Sequence, residues 1–178
     1  RYIFGFEESY GYLSGGFVRD KDAVNASLLI CEMFAYYKNE GKGFLDVLNE
    51  LYRKYGFYQS RLLTFSFEGS IGLSKMKALM KALREQCPQE VAGYSIEAVG
   101  DYQQSLLSRR NGEFEAINLP KSNVLRFFIS EGHEAVIRPS GTEPKLKVYI
   151  TARGKDREEA DTAAERLAQY FSAWVRNG

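Results

Sequence analysis

A short polar loop near the end of the chain carries the groups that an oxyanion needs. It reads Arg138-Pro139-Ser140-Gly141-Thr142-Glu143-Pro144 and lies between two segments of alternating apolar and polar residues. Arginine offers a fork of N–H donors, serine and threonine offer hydroxyls, and glycine lets backbone N–H groups approach a phosphate closely. Lys147 lies on the following segment and adds positive charge there. The pattern indicates a phosphate site, and an ordinary Pro/Gly hairpin whose polar residues face water is the alternative.

A second polar loop, Glu7-Glu8-Ser9, follows directly on the apolar segment 2–6. Ligands in open α/β folds sit at strand ends. Glu7 and Ser9 project to the same side if the backbone is extended, and they offer both an acceptor and a hydroxyl. That combination suits two adjacent sugar hydroxyls, each of which donates and accepts. A solvated acidic surface loop is the alternative.

The segment Arg19-Asp20-Lys21-Asp22 stands where a helical pattern begins. A lysine in the first turn opposes the helix dipole, which points to a ligand-facing role for Lys21. A capped helix entry with no further role is the alternative. Asp20 and Asp22 form a lone Asp-x-Asp, too sparse for the oxygen shell of Mg²⁺, so no metal ligand is assigned.

The histidine and the two cysteines favour structural roles. His133 follows Gly132 and has no Ser, Cys or carboxylate partner at a telling spacing, which favours a solvated turn histidine over a catalytic one. Cys31 falls within an apolar helical pattern, where a packed thiol is expected. One histidine and two cysteines, His133, Cys31 and Cys87, are too few to build a Cys/His zinc site. Reduced cysteines are typical of cytoplasmic proteins, and no signal peptide is visible.

The composition limits the class of protein. The 24 Lys and Arg residues nearly balance the 23 Asp and Glu residues, so the chain lacks the strong positive field of a general nucleic-acid binder. It is 44% hydrophobic, which is enough for a buried core. Its apolar runs fall short of the ~20 residues that cross a bilayer, so we expect neither nucleic-acid nor membrane partners.

The elements that position these loops fall into two groups, with a boundary between residues 60 and 61. In the first, a short strand at 1–6 precedes helices at 22–39 and 44–55, and the 22–39 helix should be largely buried. These helices need a larger sheet than that strand supplies. The second group is predicted to have strands at 61–67, 94–99, 123–129, 133–138 and 145–152, with one helix after the first strand and one at the end. This order predicts a sheet with two helices on one face.

Taken together, Gly5-Phe6-Glu7-Glu8-Ser9-Tyr10-Gly11, the Arg19 to Asp22 segment and the Arg138 to Pro144 loop resemble, in the same order, motifs of the α-D-phosphohexomutases, the phosphoglucomutase and phosphomannomutase family. The resemblance covers the whole chain and implies an α/β plus α+β protein. Residues 1–60 resemble the C-terminal part of the family's third domain, and residues 61–178 resemble its fourth domain. The phosphoserine and magnesium loops of the family do not occur in this sequence, which implies a C-terminal fragment that is inactive alone.

The resemblance also implies roles for individual residues. Glu7 and Ser9 would bind adjacent sugar hydroxyls, and Lys21 would contact substrate and share in acid/base chemistry. The phosphate that is not being transferred would be bound by Arg138, Ser140, Gly141 and Thr142. Lys147 would be a second basic contact for that phosphate. The bulky Tyr10 fits the phosphoglucomutase side of the family.

The implied ligand is a hexose phosphate, converted through an enzyme phosphoserine and a hexose 1,6-bisphosphate. The implied partners are the N-terminal domains of the same parent chain, which would also hold Mg²⁺. A non-catalytic protein-interaction module, with the polar loops incidental, is the alternative function.

Overall fold

A computed structural model describes residues 2–7, 10–141 and 143–177, and the chain divides into two compact units, Arg1–Tyr55 and Gly56–Gly178. Ser9 and Thr142, two predicted site residues, lie outside the described residues. Within the part of the chain that is described, no helix combines the length and apolar character needed to cross a bilayer.

The first unit is a small hairpin followed by two helices. Strands β1 (Phe4–Phe6) and β2 (Tyr12–Ser14) pair antiparallel, and they precede helices α1 (Ala23–Asn39) and α2 (Phe44–Tyr55). The Asp22 carboxylate caps α1 by accepting hydrogen bonds from the backbone N–H groups of Val24 and Asn25. This cap satisfies two of the amides that a helix start leaves without partners, so α1 begins at Ala23.

The expectation that α1 is largely buried is wrong for this chain. Of its residues only Ala26 is buried, while Val24 is 83% and Leu28 61% exposed. The three-residue strands β1 and β2 are too small to cover a 17-residue helix, so its apolar side chains stay in contact with solvent. Cys31 is likewise exposed instead of packed.

The second unit contains one antiparallel sheet and two long helices. Its elements are β3 (Phe57–Ser66), α3 (Gly69–Glu85), β4 (Glu90–Val91), β5 (Tyr94–Asp101), β6 (Leu106–Arg109), β7 (Phe114–Ala116), β8 (Leu125–Ile129), β9 (His133–Pro139), β10 (Lys145–Gly154) and α4 (Arg157–Asn177). The strand order is β3-β10-β9-β8-β5-β6-β7, and β4 pairs with β5. Every pairing in this unit is antiparallel, which hairpin and meander connections allow.

The core of this unit lies between one face of the sheet and the helices α3 and α4. Alternate residues of the central strands are buried there, including Ile137 of β9 and Val148 of β10, and they pack with Met80 of α3 and Leu167 of α4. Because side chains alternate along a strand, the residues between them project from the opposite face. The predicted fold class, with two helices on one face of an antiparallel sheet, is confirmed.

Strand β3 includes residues that were predicted to belong to the first domain. Phe57 pairs with Gly154 and Ser60 with Thr151, so residues 57–60 belong to the sheet of the second unit. Their exposure alternates along the strand in the same way as that of residues 61–66.

The expectation of a solvated His133 is also wrong. This residue begins β9 and is only 3% exposed, with its ring against that of Tyr94 at a centroid distance of 4.5 Å. The turn signal at Gly132 is real, since Gly132 has a positive φ of 80°. The strand starts immediately after it, however, and its first side chain points into the protein.

Candidate functional site

The hairpin formed by β9 and β10 places two predicted basic residues side by side. Arg138 of β9 is directly opposite Lys147 of β10 in the antiparallel register. Their neighbours Ile137, Leu146 and Val148 are buried in the core, so the two basic side chains project from the sheet face away from α3 and α4. The ladder therefore brings these two cations to one face.

The loop between these strands is held at both ends. The Ser140 N–H donates to the Lys145 carbonyl at 2.7 Å, which closes the hairpin. The Phe67 N–H donates to the Pro144 carbonyl at 2.8 Å and ties the loop to the end of β3. Gly141 is exposed, and a Cβ added there would have no described atom within 4 Å, so space above it is open to a ligand.

The cationic side chains of the hairpin differ in the contacts they make. The Lys145 ammonium lies 2.9 Å from the Glu143 carboxylate, and the Lys147 ammonium lies 5.9 Å from the Tyr149 ring. Arg138 is exposed, and its guanidinium forms neither a hydrogen bond nor an ion pair with any side chain in the described ranges. Its fork of donors is thus available to an oxyanion.

The other predicted loop follows β1 in the first unit. The Glu7 N–H donates to the Gly11 carbonyl at 2.8 Å, which closes the turn between β1 and β2. The Lys21 ammonium lies 3.6 Å from Glu7 Oε1 and 3.3 Å from Asp20 Oδ1. These groups line a cavity of about 230 Å³, together with others that include Tyr2, Gly5 and Arg19.

Electrostatics in this cavity favour a charged lysine. The Asp20 carboxylate, and after it Glu7, raises the pKa of Lys21. The Lys21 backbone N–H, and then its ammonium, lowers the pKa of Asp20. Lys21 is therefore a cation at neutral pH, able to donate to a substrate oxygen, and a proton-transfer role would require substrate to change its surroundings.

Lys21 does not lie in the first turn of the helix, where the sequence pattern had placed it. The helix starts at Ala23 with Asp22 as its N-cap, so Lys21 precedes the helix and does not lie in its first turn. The helix dipole therefore does not account for the position of Lys21. The ammonium in the cavity forms ion pairs with the carboxylates of Glu7 and Asp20.

The acidic residues of this loop do not fit a divalent cation. Asp22 is occupied as the helix cap, and Asp20 binds Lys21. Among the described residues, no group of three or more His, Cys, Asp or Glu side chains could hold a metal ion.

Gly11 belongs to the motif at residues 5–11, but the sequence predicted no role of its own for it. Gly11 is buried, and its backbone contacts both Glu7 and the stem of Lys21. A glycine just after a polar loop looks like an ordinary turn residue. Its importance is visible only in the folded structure, because Lys21, which contacts it, is ten residues further along the chain.

Comparisons with known proteins agree with both units. The family described as "Phosphoglucomutase/phosphomannomutase, C-terminal domain" matches residues 76–169, which is more than half of the chain. The family described as "Phosphoglucomutase/phosphomannomutase, alpha/beta/alpha domain III" matches residues 1–55. The chain belongs to the phosphoglucomutase/phosphomannomutase family, as the sequence motifs predicted.

Particular relatives include two bacterial phosphoglucomutases. That of Staphylococcus haemolyticus is 44% identical over 151 residues, covering 84% of this chain and 27% of the relative. That of Staphylococcus aureus is 42% identical over 171 residues, covering 96% of this chain and 30% of the relative. The chain thus spans less than a third of the length of these relatives.

A solved structure shows the same fold. The open form of the exocytosis-sensitive phosphoprotein pp63/parafusin, a phosphoglucomutase from Paramecium, superposes with a TM-score of 0.57 at 19% identity. The match covers 95% of this chain and 28% of that chain.

Proposed function

We propose that this chain is the substrate-binding C-terminal portion of a phosphoglucomutase. The hairpin β9–β10 binds the phosphate that is not being transferred, through Arg138, Ser140, Gly141, Thr142 and Lys147. The loop after β1 binds two sugar hydroxyls through Glu7 and Ser9, and Lys21 contacts the substrate. The observation that carries the proposal is the exposed Arg138 guanidinium, which is without a partner among the described side chains and stands opposite Lys147, near the open space at Gly141.

The reaction of the parent enzyme is part of the same proposal. A phosphoserine outside this chain gives its phosphoryl group to a hexose phosphate, and the resulting hexose 1,6-bisphosphate returns its other phosphate to the serine. Such transfer depends mainly on positioning and charge neutralisation, so a hairpin that binds the second phosphate can serve both orientations of the intermediate. The acidic residues described here do not fit Mg²⁺, and any metal ligands are proposed to come from the N-terminal domains.

The compartment proposed for the protein is the cytoplasm. Cys31 and Cys87 are both free thiols, which suits a reducing environment.

Ligand titration of the chain, followed through its backbone amides, tests the binding proposal. Inorganic phosphate at millimolar concentration should shift the amides of Ser140 and Gly141 and leave those around Gly11 unchanged. Glucose 1-phosphate should shift both sets, because it adds sugar hydroxyls. Unchanged amides in the β9–β10 hairpin with both ligands would contradict the proposal.

A turnover assay tests whether this chain alone catalyses the reaction proposed for the parent enzyme. The pure chain should not convert glucose 1-phosphate to glucose 6-phosphate, because it lacks the phosphoserine loop of the family. Measurable conversion by the chain alone would show that this assignment is wrong.

A protein-interaction module is a second candidate, favoured by the exposed apolar side of the first unit. Phe4, Leu29, Ile30, Met33 and Phe44, with neighbours, line an apolar cavity of about 450 Å³. Arg138→Ala separates the two functions. It should weaken phosphate binding if the first is correct, and it should leave protein binding by the first unit unchanged if the second is correct.

A further inference from the structure

Gly11 occupies a position where backbone conformation does not require glycine. It lies between the polar loop and β2, and it is buried. Its φ lies outside the left-handed range that favours glycine, whereas Tyr10, just before it, has a φ of 64°. An alanine would therefore fit the backbone conformation at position 11, so it is the neighbouring side chains that restrict this position.

Those surroundings leave no room for a side chain. A Cβ built on Gly11 would overlap Lys21 Cδ, and it would lie 2.9 Å from Lys21 Cγ and 3.1 Å from Glu7 Oε2. The aliphatic stem of Lys21 thus passes directly over the Gly11 Cα. The two residues that restrict this position are both candidate site residues.

The backbone on either side of this contact is fixed. The Glu7 N–H donates to the Gly11 carbonyl at 2.8 Å, and β2 begins at the next residue. The Asp22 N–H donates to the Tyr12 carbonyl at 3.0 Å, which anchors the segment that carries Lys21. Since both backbones are held, an added methyl group would be relieved by movement of the Lys21 side chain.

We propose that Gly11 is a positioning residue for substrate recognition: its bare Cα forms the slot that holds the Lys21 stem and sets the ammonium beside Glu7. The slot brings a cation and a carboxylate acceptor together in one cavity, where a sugar phosphate meets both. The effect on substrate rests on the proposed function, but the effect on Lys21 itself does not.

Gly11→Ala in the full chain tests this assignment first without ligand. The variant should lose nuclear Overhauser contacts between the Lys21 side chain and the residue 11 Hα. The pKa of Lys21, which Asp20 and then Glu7 raise, should fall towards its ordinary value as the displaced ammonium moves away from these carboxylates, measured by pH titration of the Lys21 Hε shift. Gly16→Ala is the matched control, because a Cβ at Gly16 meets nothing within 4 Å and its φ is not left-handed. Retention of the Lys21 contacts and titration in Gly11→Ala would overturn the proposal.

Binding of glucose 1-phosphate supplies the second readout. Gly11→Ala should raise the Kd about tenfold, the loss of about one charge-assisted hydrogen bond, while Gly16→Ala leaves it unchanged. In a Lys21→Ala background, Gly11→Ala should have no further effect, since both changes remove the same interaction. An equal loss in both backgrounds would assign the effect to general damage to the loop and would overturn the positioning role.

The two readouts separate this inference from the proposed function. If the unmodified chain fails to bind glucose 1-phosphate while Gly11→Ala still displaces Lys21, the function is wrong and the slot is correct. If the unmodified chain binds but Gly11→Ala neither displaces Lys21 nor weakens binding, the function stands and the slot is wrong.

Discussion

The backbone N–H of Arg153 donates a hydrogen bond of 3.1 Å to Nδ1 of His133. Because a backbone N–H can only donate, Nδ1 is the unprotonated nitrogen of a neutral ring, and Nε2 carries the proton. Nε2 is buried without a hydrogen-bond partner among the described atoms and lies 3.9 Å from Glu131 Oε2. The ring thus links the start of β9 to β10 only while it remains neutral.

This link should make the second unit sensitive to acid. Burial lowers the pKa of His133 below its ordinary 6.5, against the smaller raising effects of Glu131 and Glu159, while Arg166 lowers it further. The unfolded chain therefore takes up the proton first, so stability is fully present above the unfolded pKa and is lost as the pH falls towards the folded value. Urea unfolding between about pH 7.5 and about pH 5.5 should show this loss.

His133→Gln is the matched variant for this prediction, since glutamine does not titrate. Its free energy of unfolding should depend less on pH over the same interval than that of the unmodified chain. Equal pH dependence of the two proteins would contradict the role given to His133.

Replacement of Arg138 should weaken phosphate binding even when the charge is kept. Arg138→Lys removes the planar fork of donors, and the Kd for inorganic phosphate should rise about tenfold by calorimetry. Arg110→Ala is the control, because this exposed arginine lies outside the β9–β10 hairpin. A similar loss in the control, or none in Arg138→Lys, would show that the guanidinium does not bind the anion.

Lys147 should contribute through its charge. Lys147→Gln is expected to raise the Kd for phosphate about three- to tenfold at low ionic strength, and the difference should shrink as added salt screens the ammonium. Lys121→Gln, an exposed lysine in the connection before β8, should have no effect. A salt-independent loss would point to altered packing on β10 instead.

Truncation of the core should destabilise the second unit. Leu167 of α4 is fully buried, so Leu167→Ala should cost about 2–5 kcal/mol of unfolding free energy in urea. Ile71→Ala is the control, since Ile71 is 85% exposed on α3 and its loss should fall within about 0.5 kcal/mol. Comparable losses in the two variants would contradict this description of the core.

The parts of the fold that follow from local pattern were predicted well. Strands β9 and β10 were expected at 133–138 and 145–152 and are found at His133–Pro139 and Lys145–Gly154, because alternation across a half-buried sheet is visible in the sequence. The short strands β6 and β7 were missed, because segments of four and three residues are too short to show a distinct alternation.

Other features depend on contacts between distant residues. Burial of His133 arises from Tyr94, 39 positions earlier in the chain, so the turn signal beside it was misleading. The slot at Gly11 is visible only when Lys21 is placed over it. The apolar spacing of α1 predicted the helix correctly. The burial of its apolar side chains also depends on which other elements pack against the helix.

Arg138 and Lys147 stand on paired strands, while the loop between them is a separate connection. The ladder holds the two cations opposite each other, and under the proposed function the loop adds the remaining contacts to the anion. Under the proposed function, substitutions in the connection would therefore change which anion fits, while the cationic pair on the strands stays in register.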